Sequence, residues 1–329
     1  MGITQSCIEN KRNGIKIRSI KMIINDFITG PYDCYQSVMA NIAAHYGHVY
    51  QTVALGKISF MYRNEKNNFI GKRIDALHMR KDLKIDELLG LERKEQPLLI
   101  NCVDEMDCLL EKNIPIVVWA DLYNCNWNQA YHKYHFKHYF LINGKVEGKS
   151  YVIADPFFHK FYLEQSLEEL TKIADSCIVY KKKEIKQDRW NEIEEEILKD
   201  AQYYLDNDMG NNIVKFSTAL KDIDFSKEFN YPQDELYAIP MLDNLKIVGE
   251  QREAYAKLLK YTGANWNKVM LEATQWLLSS AELWGKLRIY FMKMILTNSC
   301  KCDNALIVSY LENIRQLEEK TFRTILKKK

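Results

Sequence analysis

The sequence contains little of what interrupts regular structure, with six prolines and thirteen glycines among 329 residues. Proline breaks helices, and glycine weakens both helices and strands, so their scarcity predicts long helices and a packed core. The sequence also lacks any run of the ~20 apolar residues that a membrane-spanning helix requires. We therefore expect a globular protein that has no membrane partner.

Neither sign of charge dominates, because 46 lysines and arginines stand against 44 aspartates and glutamates. Proteins that bind nucleic acids usually carry a basic excess, so this balance predicts no nucleic-acid partner. The first residues contain no apolar segment of the kind that follows the basic start of a secretory signal. We expect the protein to be cytoplasmic.

The cysteines and histidines show no spacing typical of a disulfide framework or a zinc site. The eight cysteines are at positions 7, 34, 102, 108, 125, 177, 300 and 302. A chain of this size does not depend on disulfides, so most thiols are expected to be reduced packing residues. His132, His135 and His138 recur every three residues, but no nearby carboxylate pair completes a tetrahedral ligand set. The sequence predicts no metal site.

The chain changes character near residue 186. Up to that point, short apolar runs suited to strands alternate with short helical patterns. Beyond it, apolar residues recur at helical spacing in five segments: 189–206, 211–221, 236–261, 263–296 and 303–327. The sequence therefore predicts an α+β domain over 1–186 and an all-helical domain over 187–329, which we expect to cover the cleft of the first.

A helix is predicted over residues 33–46, where apolar side chains from Val38 to Tyr46 recur at spacings of three and four. Asp33 is a suitable N-cap, which places Cys34 in the first turn. The partial positive charge at the start of a helix favours a thiolate there. Cys34 is therefore the thiol with the most favourable local position for reactivity.

Two apolar runs further along the chain carry a histidine and an aspartate. His138 opens the run 138–143, and Asp155 closes the run 149–155. The two runs predict an antiparallel strand pair joined by a glycine-containing turn. In the register that a short turn favours, His138 opposes Ala154. Asp155 then lies diagonally beside His138, within cross-strand reach.

Cys34, His138 and Asp155 together make up the set that a thiol nucleophile with an oriented base needs. Each residue alone has a simpler interpretation. A lone cysteine is usually a packing residue, a histidine at a strand end often binds a carbonyl, and Asp-Pro is common in turns. The combination predicts an enzyme that passes through a thioester on Cys34.

The residues around the cysteine follow the pattern Cys34-x-x-Ser37-x-x-x-Asn41-x5-Gly47. Three further segments come after it: Val117-Val-Trp-Ala-Asp121, His138-Tyr-Phe-Leu-Ile and Val152-Ile-Ala-Asp155. In order and approximate spacing, these segments resemble the butirosin biosynthesis protein H family. The resemblance extends over nearly the whole chain and is most specific in residues 30–157. It implies a papain-like cysteine-peptidase fold for the N-terminal part.

The resemblance also implies an acyltransferase. The family's namesake moves an aminoacyl group from an acyl carrier protein thioester to an amine of an aminoglycoside antibiotic, and relatives accompany natural-product assembly lines. Carried over by position, Cys34 is the acylated nucleophile, His138 the base and Asp155 the residue that orients it. The expected partners are an acyl or peptidyl carrier protein and a small-molecule amine acceptor. No cofactor is implied beyond the phosphopantetheine of the carrier protein.

This chain departs from the family's pattern at several positions. Asp33 and Tyr35 flank the cysteine where a histidine or small residues are expected, and Lys137 stands where a second histidine is expected. Two alternatives therefore remain open. One is a cysteine peptidase or amidase that uses the same three residues. The other is a non-catalytic relative that keeps the fold and acts by interaction.

The oxyanion hole is a further point of departure. Papain-like peptidases carry a glutamine six residues before the nucleophile, and this chain has Ile28 there. The backbone N–H of Cys34 is then expected to act with another donor. Gln36, Asn41 and the region of Asp121 are the candidates for the oxyanion or the substrate.

Overall fold

The computed structural model describes residues 21–65, 69–97, 99–146, 150–184, 189–231, 236, 238–262, 268–297 and 303–327. The boundary predicted near residue 186 lies outside the described residues, as do Cys7, Cys300 and Cys302. The protein is a mixed α+β molecule, as predicted.

The strands form one large antiparallel sheet and one small hairpin. The large sheet contains β1 (Lys21–Met22), β4 (Leu91–Glu95), β5 (Ile116–Asp121), β6 (Lys137–Val146), β7 (Ser150–Asp155), β8 (Lys160–Ser166) and β9 (Ala174–Lys182). Its order is β4–β9–β5–β6–β7–β8, and β1 pairs with the end of β6 that extends beyond β5. The hairpin consists of β2 (Met61–Tyr62) and β3 (Ile74–Asp75).

The described residues form ten α-helices. Four accompany the sheet: α1 (Cys34–His45), α2 (Ile85–Leu88), α3 (Val103–Glu111) and α4 (Leu167–Ile173). The others are α5 (Trp190–Asp206), α6 (Met209–Leu220), α7 (Phe225–Glu228), α8 (Pro240–Thr262), α9 (Lys268–Leu296) and α10 (Asn304–Leu326). These confirm the helical pattern of the second half. None of the described helices has a stretch that is both long and apolar enough to cross a bilayer.

The large sheet has a hydrophobic cluster on each face, because its central strands are apolar on both sides. Along β5, Val118 belongs to a cluster with Met106 of α3 and Leu170 of α4. The adjacent Val117 belongs to the cluster on the other face, together with α1. Successive strand residues point to opposite faces, so β5 separates these two parts of the core.

The second cluster continues across the predicted domain boundary. It joins Val38 of α1 and Leu141 of β6 to Ala201 of α5, Tyr255 of α8 and Phe322 of α10. A third cluster joins residues of the small hairpin to α6 and α9. The helical half and the sheet half therefore share one continuous core.

The pairing of β6 with β7 differs from the predicted register. Ala154 lies opposite Leu141 rather than opposite His138, and the register shifts at a bulge between Ile142 and Gly144. The prediction was wrong because β6 continues as a strand to residue 146 instead of turning after residue 143. If the observed register continues, Asp155 lies opposite Phe140, two residues from His138. The side chains of Asp155 and His138 therefore remain within reach of each other.

Candidate active site

The nucleophile segment begins helix α1 in the way the sequence predicts. Asp33 is the N-cap, and its Oδ1 accepts a hydrogen bond from the Gln36 backbone N–H at 2.8 Å. Gln36 Oε1 accepts in return from the Asp33 N–H at 3.1 Å, which completes a capping box. Cys34 is the first helical residue and is half-buried. Its N–H has no acceptor within the helix, so it is available to a group at the N-terminal end of α1.

Two asparagines hold the loop that leads to the cysteine. Asn41 accepts from the Ile28 N–H at 2.8 Å and donates to the Ile28 carbonyl at 3.0 Å. Asn143 forms the same pair of bonds with Ile24, at 2.9 and 2.8 Å. Asn143 lies on β6, the strand that carries the histidine, so it fixes the nucleophile segment against that strand.

His138 and Asp155 are in direct contact, as the sequence predicts. His138 Nε2 lies 2.8 Å from Asp155 Oδ2. The histidine is 1% exposed and the aspartate is fully buried. Because Nε2 is engaged with the carboxylate, Nδ1 is the ring nitrogen that remains for the Cys34 thiol. This arrangement can orient the ring and hold it in one tautomer.

The surroundings of His138 favour its protonated form. Burial on its own lowers the pKa of the imidazole, but hydrogen bonds to Asp155 and Cys34 and the charges of both groups outweigh it. Together they raise the pKa of His138 from 6.5 to about 9. The site therefore favours the imidazolium form of His138, and a cation next to a cysteine stabilises a thiolate.

Asp155 is itself fixed by further donors. Trp127 Nε1 donates to Asp155 Oδ2 at 2.9 Å, and the Phe158 N–H donates to Oδ1 at 3.3 Å. The Trp127 ring packs edge-on against Phe140, with ring centroids 5.3 Å apart. Sequence reasoning missed Trp127, because it lies in an irregular loop with no periodicity. No sequence signal marks it, since each of the six tryptophans carries the same indole donor.

Aromatic side chains cover the histidine and connect it to the helical half. The ring centroids of Phe157 and Phe158 lie 6.1 and 5.1 Å from that of His138. Lys246 of α8 lies 5.2 Å from the centroid of the Phe157 ring. The helical half therefore reaches the edge of the site.

The three polar residues considered for the oxyanion are engaged elsewhere. Gln36 Nε2 donates to the Val53 carbonyl at 2.7 Å, and its oxygen belongs to the capping box. Asn41 holds the loop before Cys34. The carboxylate of Asp121 accepts from the backbone N–H groups of Tyr123 and Phe136 and has no proton to donate. Of the groups considered, the backbone N–H of Cys34 is the remaining candidate donor to an oxyanion.

The three evenly spaced histidines do not converge. His135 Nδ1 binds Asp121 at 2.6 Å, and His132 stacks on Tyr131 with ring centroids 3.9 Å apart. Over the part of the chain that the structure describes, no group of three or more His, Cys, Asp or Glu side chains is arranged to hold a metal ion.

A scan of the chain against protein-family models gives no match, and neither does a search of the curated proteins.

Proposed function

We propose that the protein is a cysteine-dependent acyltransferase of natural-product biosynthesis, with a papain-like catalytic part related to the butirosin biosynthesis protein H family. It moves an acyl group from a carrier-protein thioester to a small-molecule amine through an acyl-enzyme on Cys34. One observation carries the proposal: Cys34 begins a helix beside a buried His138 whose Nε2 is bound to Asp155 at 2.8 Å. This is the arrangement of an activated thiol.

The first step is an exchange of thioesters. The Cys34 thiolate attacks the carbonyl of the donor, and the carrier's sulfur leaves with the proton of His138. The Cys34 N–H and the start of α1 stabilise the charge that develops on the carbonyl oxygen. The products are an acyl-Cys34 thioester, a free carrier thiol and a neutral imidazole.

The second step uses the same histidine as a base. The thiolate no longer exists in the acyl-enzyme, so the hydrogen bond and the charge of Cys34 no longer raise the pKa of His138. The neutral ring accepts a proton from the incoming amine as the nitrogen attacks the acyl-Cys34 carbonyl. Cys34 leaves as a thiolate, an amide is released, and the original pair of charges is restored.

Transfer is favoured over peptide hydrolysis by two features of the site. A peptide bond has a poor leaving group and needs strong oxyanion stabilisation, whereas a thioester is already activated. Ile28 occupies the position of the peptidase glutamine and offers no side-chain donor. The buried histidine under its phenylalanine cover also limits water, which would otherwise hydrolyse the acyl-enzyme.

The test is to incubate the protein with acyl-pantetheine and acyl carrier protein thioesters and to measure its intact mass. We expect one acyl group per chain, located on the Cys34 peptide and absent from Cys34→Ala. Adding a panel of small amines should discharge the adduct and yield amides faster than water yields the acid.

Two results would redirect the proposal. Cleavage of a peptide library without any thioester adduct would favour the peptidase or amidase that uses the same residues. A lack of reaction with thioesters and peptides alike would favour a non-catalytic interaction protein.

A further inference from the structure

One face of helix α8 runs from the histidine to a groove beside the nucleophile segment. Lys246 lies over the Phe157 ring, and Lys257 and Lys260 line the groove. Between them, Glu253 is close enough to Tyr32 to add to the rise in the pKa of its hydroxyl, which comes mainly from burial. The intervals of seven, four and three residues place these four side chains on one face of a helix. α8 therefore connects the catalytic site with the groove.

The described lining of this groove combines aromatic walls with two cations. The lining consists of four aromatic residues, two lysines and one glutamine: Tyr32, Tyr50, Trp190, Tyr261, Lys257, Lys260 and Gln51. The groove has a volume of about 530 Å³. The rings of Trp190 and Tyr261 lie 5.4 Å apart. Such a lining fits a ligand with a slender uncharged body and an anionic end.

The lysines are placed to receive an anion. Lys260 is exposed, and no carboxylate of the described residues pairs with it. Lys257 lies 2.8 Å from Glu253, but its side chain remains 43% exposed. Ammonium groups bind phosphate through charge-assisted hydrogen bonds. No carboxylate is among the described lining residues, but Glu253 adjoins Lys257, so Lys260 is the lysine of the pair that has no carboxylate partner among the described residues.

One lining residue of the groove lies close to the nucleophile Cys34. Tyr32 is two residues before Cys34, so the two Cα atoms are at most about 7 Å apart. The Tyr32 ring lies over Gly30, where an added Cβ would come within 2.8 Å of the ring. From Glu253 to Lys260, α8 rises about 10 Å. Tyr32 is therefore the lining residue that lies closest to Cys34 along the chain.

We propose that this groove binds the phosphopantetheine arm of the acyl donor, with the phosphate at Lys257 and Lys260 and the pantetheine chain against the aromatic rings. The proposal rests on the proposed function, because it assigns a binding site to the donor of that reaction. The same arm is present on a carrier protein and on coenzyme A, and the groove recognises the chemistry that the two share.

The first experiment compares two donors that differ only in the phosphate: an acyl-phosphopantetheine and the corresponding acyl-pantetheine. Acylation of Cys34 is followed by intact mass. We expect the wild type to prefer the phosphorylated donor by on the order of tenfold, which is one charged contact. The double variant Lys257→Ala/Lys260→Ala should lose that preference and keep its rate with the phosphate-free donor.

The matched control replaces two lysines of a different groove. Lys215 and Lys227 line a pocket formed by α6, α7 and the small hairpin. Lys215→Ala/Lys227→Ala should keep the full preference for the phosphorylated donor. Equal rates for the two donors in the wild type overturn the proposal, and so does an equal loss of preference in both double variants.

A third arm separates this proposal from the proposed function. Phosphopantetheine itself is titrated into Cys34→Ala, and tryptophan fluorescence is recorded. We expect saturable quenching that Trp190→Phe removes and that the Lys257/Lys260 variant weakens. If phosphopantetheine binds but no thioester acylates Cys34, the groove is a phosphopantetheine site and the proposed acyltransferase function is wrong. Acylation of Cys34 without binding of phosphopantetheine would mean the reverse.

The source of the arm is decided by rates of acylation. An acyl carrier protein thioester and an acyl-coenzyme A are compared at equal concentrations, and both should depend on Lys257 and Lys260. A faster reaction of the carrier protein identifies it as the donor. A donor that acylates Cys34 at the same rate in wild type and double variant does not use the groove, and if both behave in this way the proposal is wrong.

Discussion

At the scale of single residues, the account centres on Asp155, because its carboxylate fixes the position of the base. It is fully buried and accepts hydrogen bonds from His138, Trp127 and the Phe158 N–H. These three hydrogen bonds hold the carboxylate in one position. The imidazole is then presented to Cys34 in one orientation, with its charged form stabilised.

Trp127 tests whether this support matters. Trp127→Phe retains an aromatic ring against Phe140 but removes the N–H that binds Asp155. Losing a hydrogen bond to a charged group costs about 1.5–3 kcal/mol, so we expect kcat/KM for acyl transfer to fall at least tenfold. Steady-state kinetics with an acyl-pantetheine donor and a saturating amine measure the effect.

Trp119 provides the control for this prediction. It is also a partly buried tryptophan on the sheet, and its Nε1 has no hydrogen-bond partner within the described part of the chain. Trp119→Phe removes no such bond, so the rate should change less than twofold. A similar loss in both variants would show that the effect comes from packing rather than from Asp155.

The raised pKa of His138 predicts a dependence of stability on pH. The fold favours the imidazolium, so this contribution is complete below pH 6.5 and is lost as the pH rises through about 9. We expect the free energy of unfolding in urea to decrease over that interval by on the order of a few kcal/mol. His138→Gln should show a smaller decrease. Parallel curves for the two proteins would contradict the assignment.

The residues of the site were predicted to different degrees from the sequence. Cys34, His138 and Asp155 could be selected because their types and order suit one reaction. Trp127 could not, since a loop residue reveals its partner only after folding. Gln36 and Asn41 were candidates for the oxyanion or the substrate, and in the structure their amides bind backbone groups around α1. Side-chain chemistry alone does not distinguish these uses.

At the scale of elements, helix termini were predicted better than strand register. The N-cap at Asp33 follows from local chemistry, which the sequence displays directly. The β6–β7 register depends on a bulge between Ile142 and Gly144 and on the pairing of Gly144 with β1. Both features are set by contacts with distant parts of the chain, which no local pattern encodes.

The helices of the second half are joined by a buried ion pair. Glu318 of α10 is fully buried and accepts from Arg252 of α8, and from Ser280 and Trp284 of α9. Tyr204 of α5 also donates to it, at 3.0 Å. One carboxylate therefore satisfies donors from three other helices. Removing it leaves a buried guanidinium without its counterion.

We expect Glu318→Ala to lower the free energy of unfolding by about 3–5 kcal/mol, as for a broken buried ion pair. Glu312→Ala on the same helix is the control, because its partner Arg315 is partly exposed and such pairs contribute about 0–1 kcal/mol. Urea unfolding at neutral pH measures both. Comparable losses in the two variants would contradict a special role for the buried pair.

At the scale of the whole molecule, the two halves depend on each other for their core. The cluster beneath α1 contains residues of β5 and β6 together with residues of α5, α8 and α10. The small hairpin, which precedes residue 186, packs into the helical half. The sequence predicted the change from α+β to helical, but it could not show that the core is continuous across it.

This shared core predicts that neither half folds alone. A 1–186 fragment exposes the apolar residues that meet α5 and α8, so it should aggregate or unfold without a cooperative transition. Co-expression with a 187–329 fragment should restore a soluble complex. Circular dichroism during thermal unfolding provides the measurement. A soluble 1–186 fragment with full acyl transfer to an amine would show that the helical half serves another purpose.

The central claim is that His138 activates Cys34, and thiol labelling tests it most directly. Limited iodoacetamide at neutral pH, followed by peptide mass mapping, compares Cys34 with Cys102 and Cys108, which are more exposed. The account predicts that Cys34 reacts fastest in spite of its lower exposure, and that His138→Ala reduces its rate to that of the exposed thiols or below. Labelling of Cys34 no faster than Cys102, or a rate that His138→Ala leaves unchanged, would contradict it.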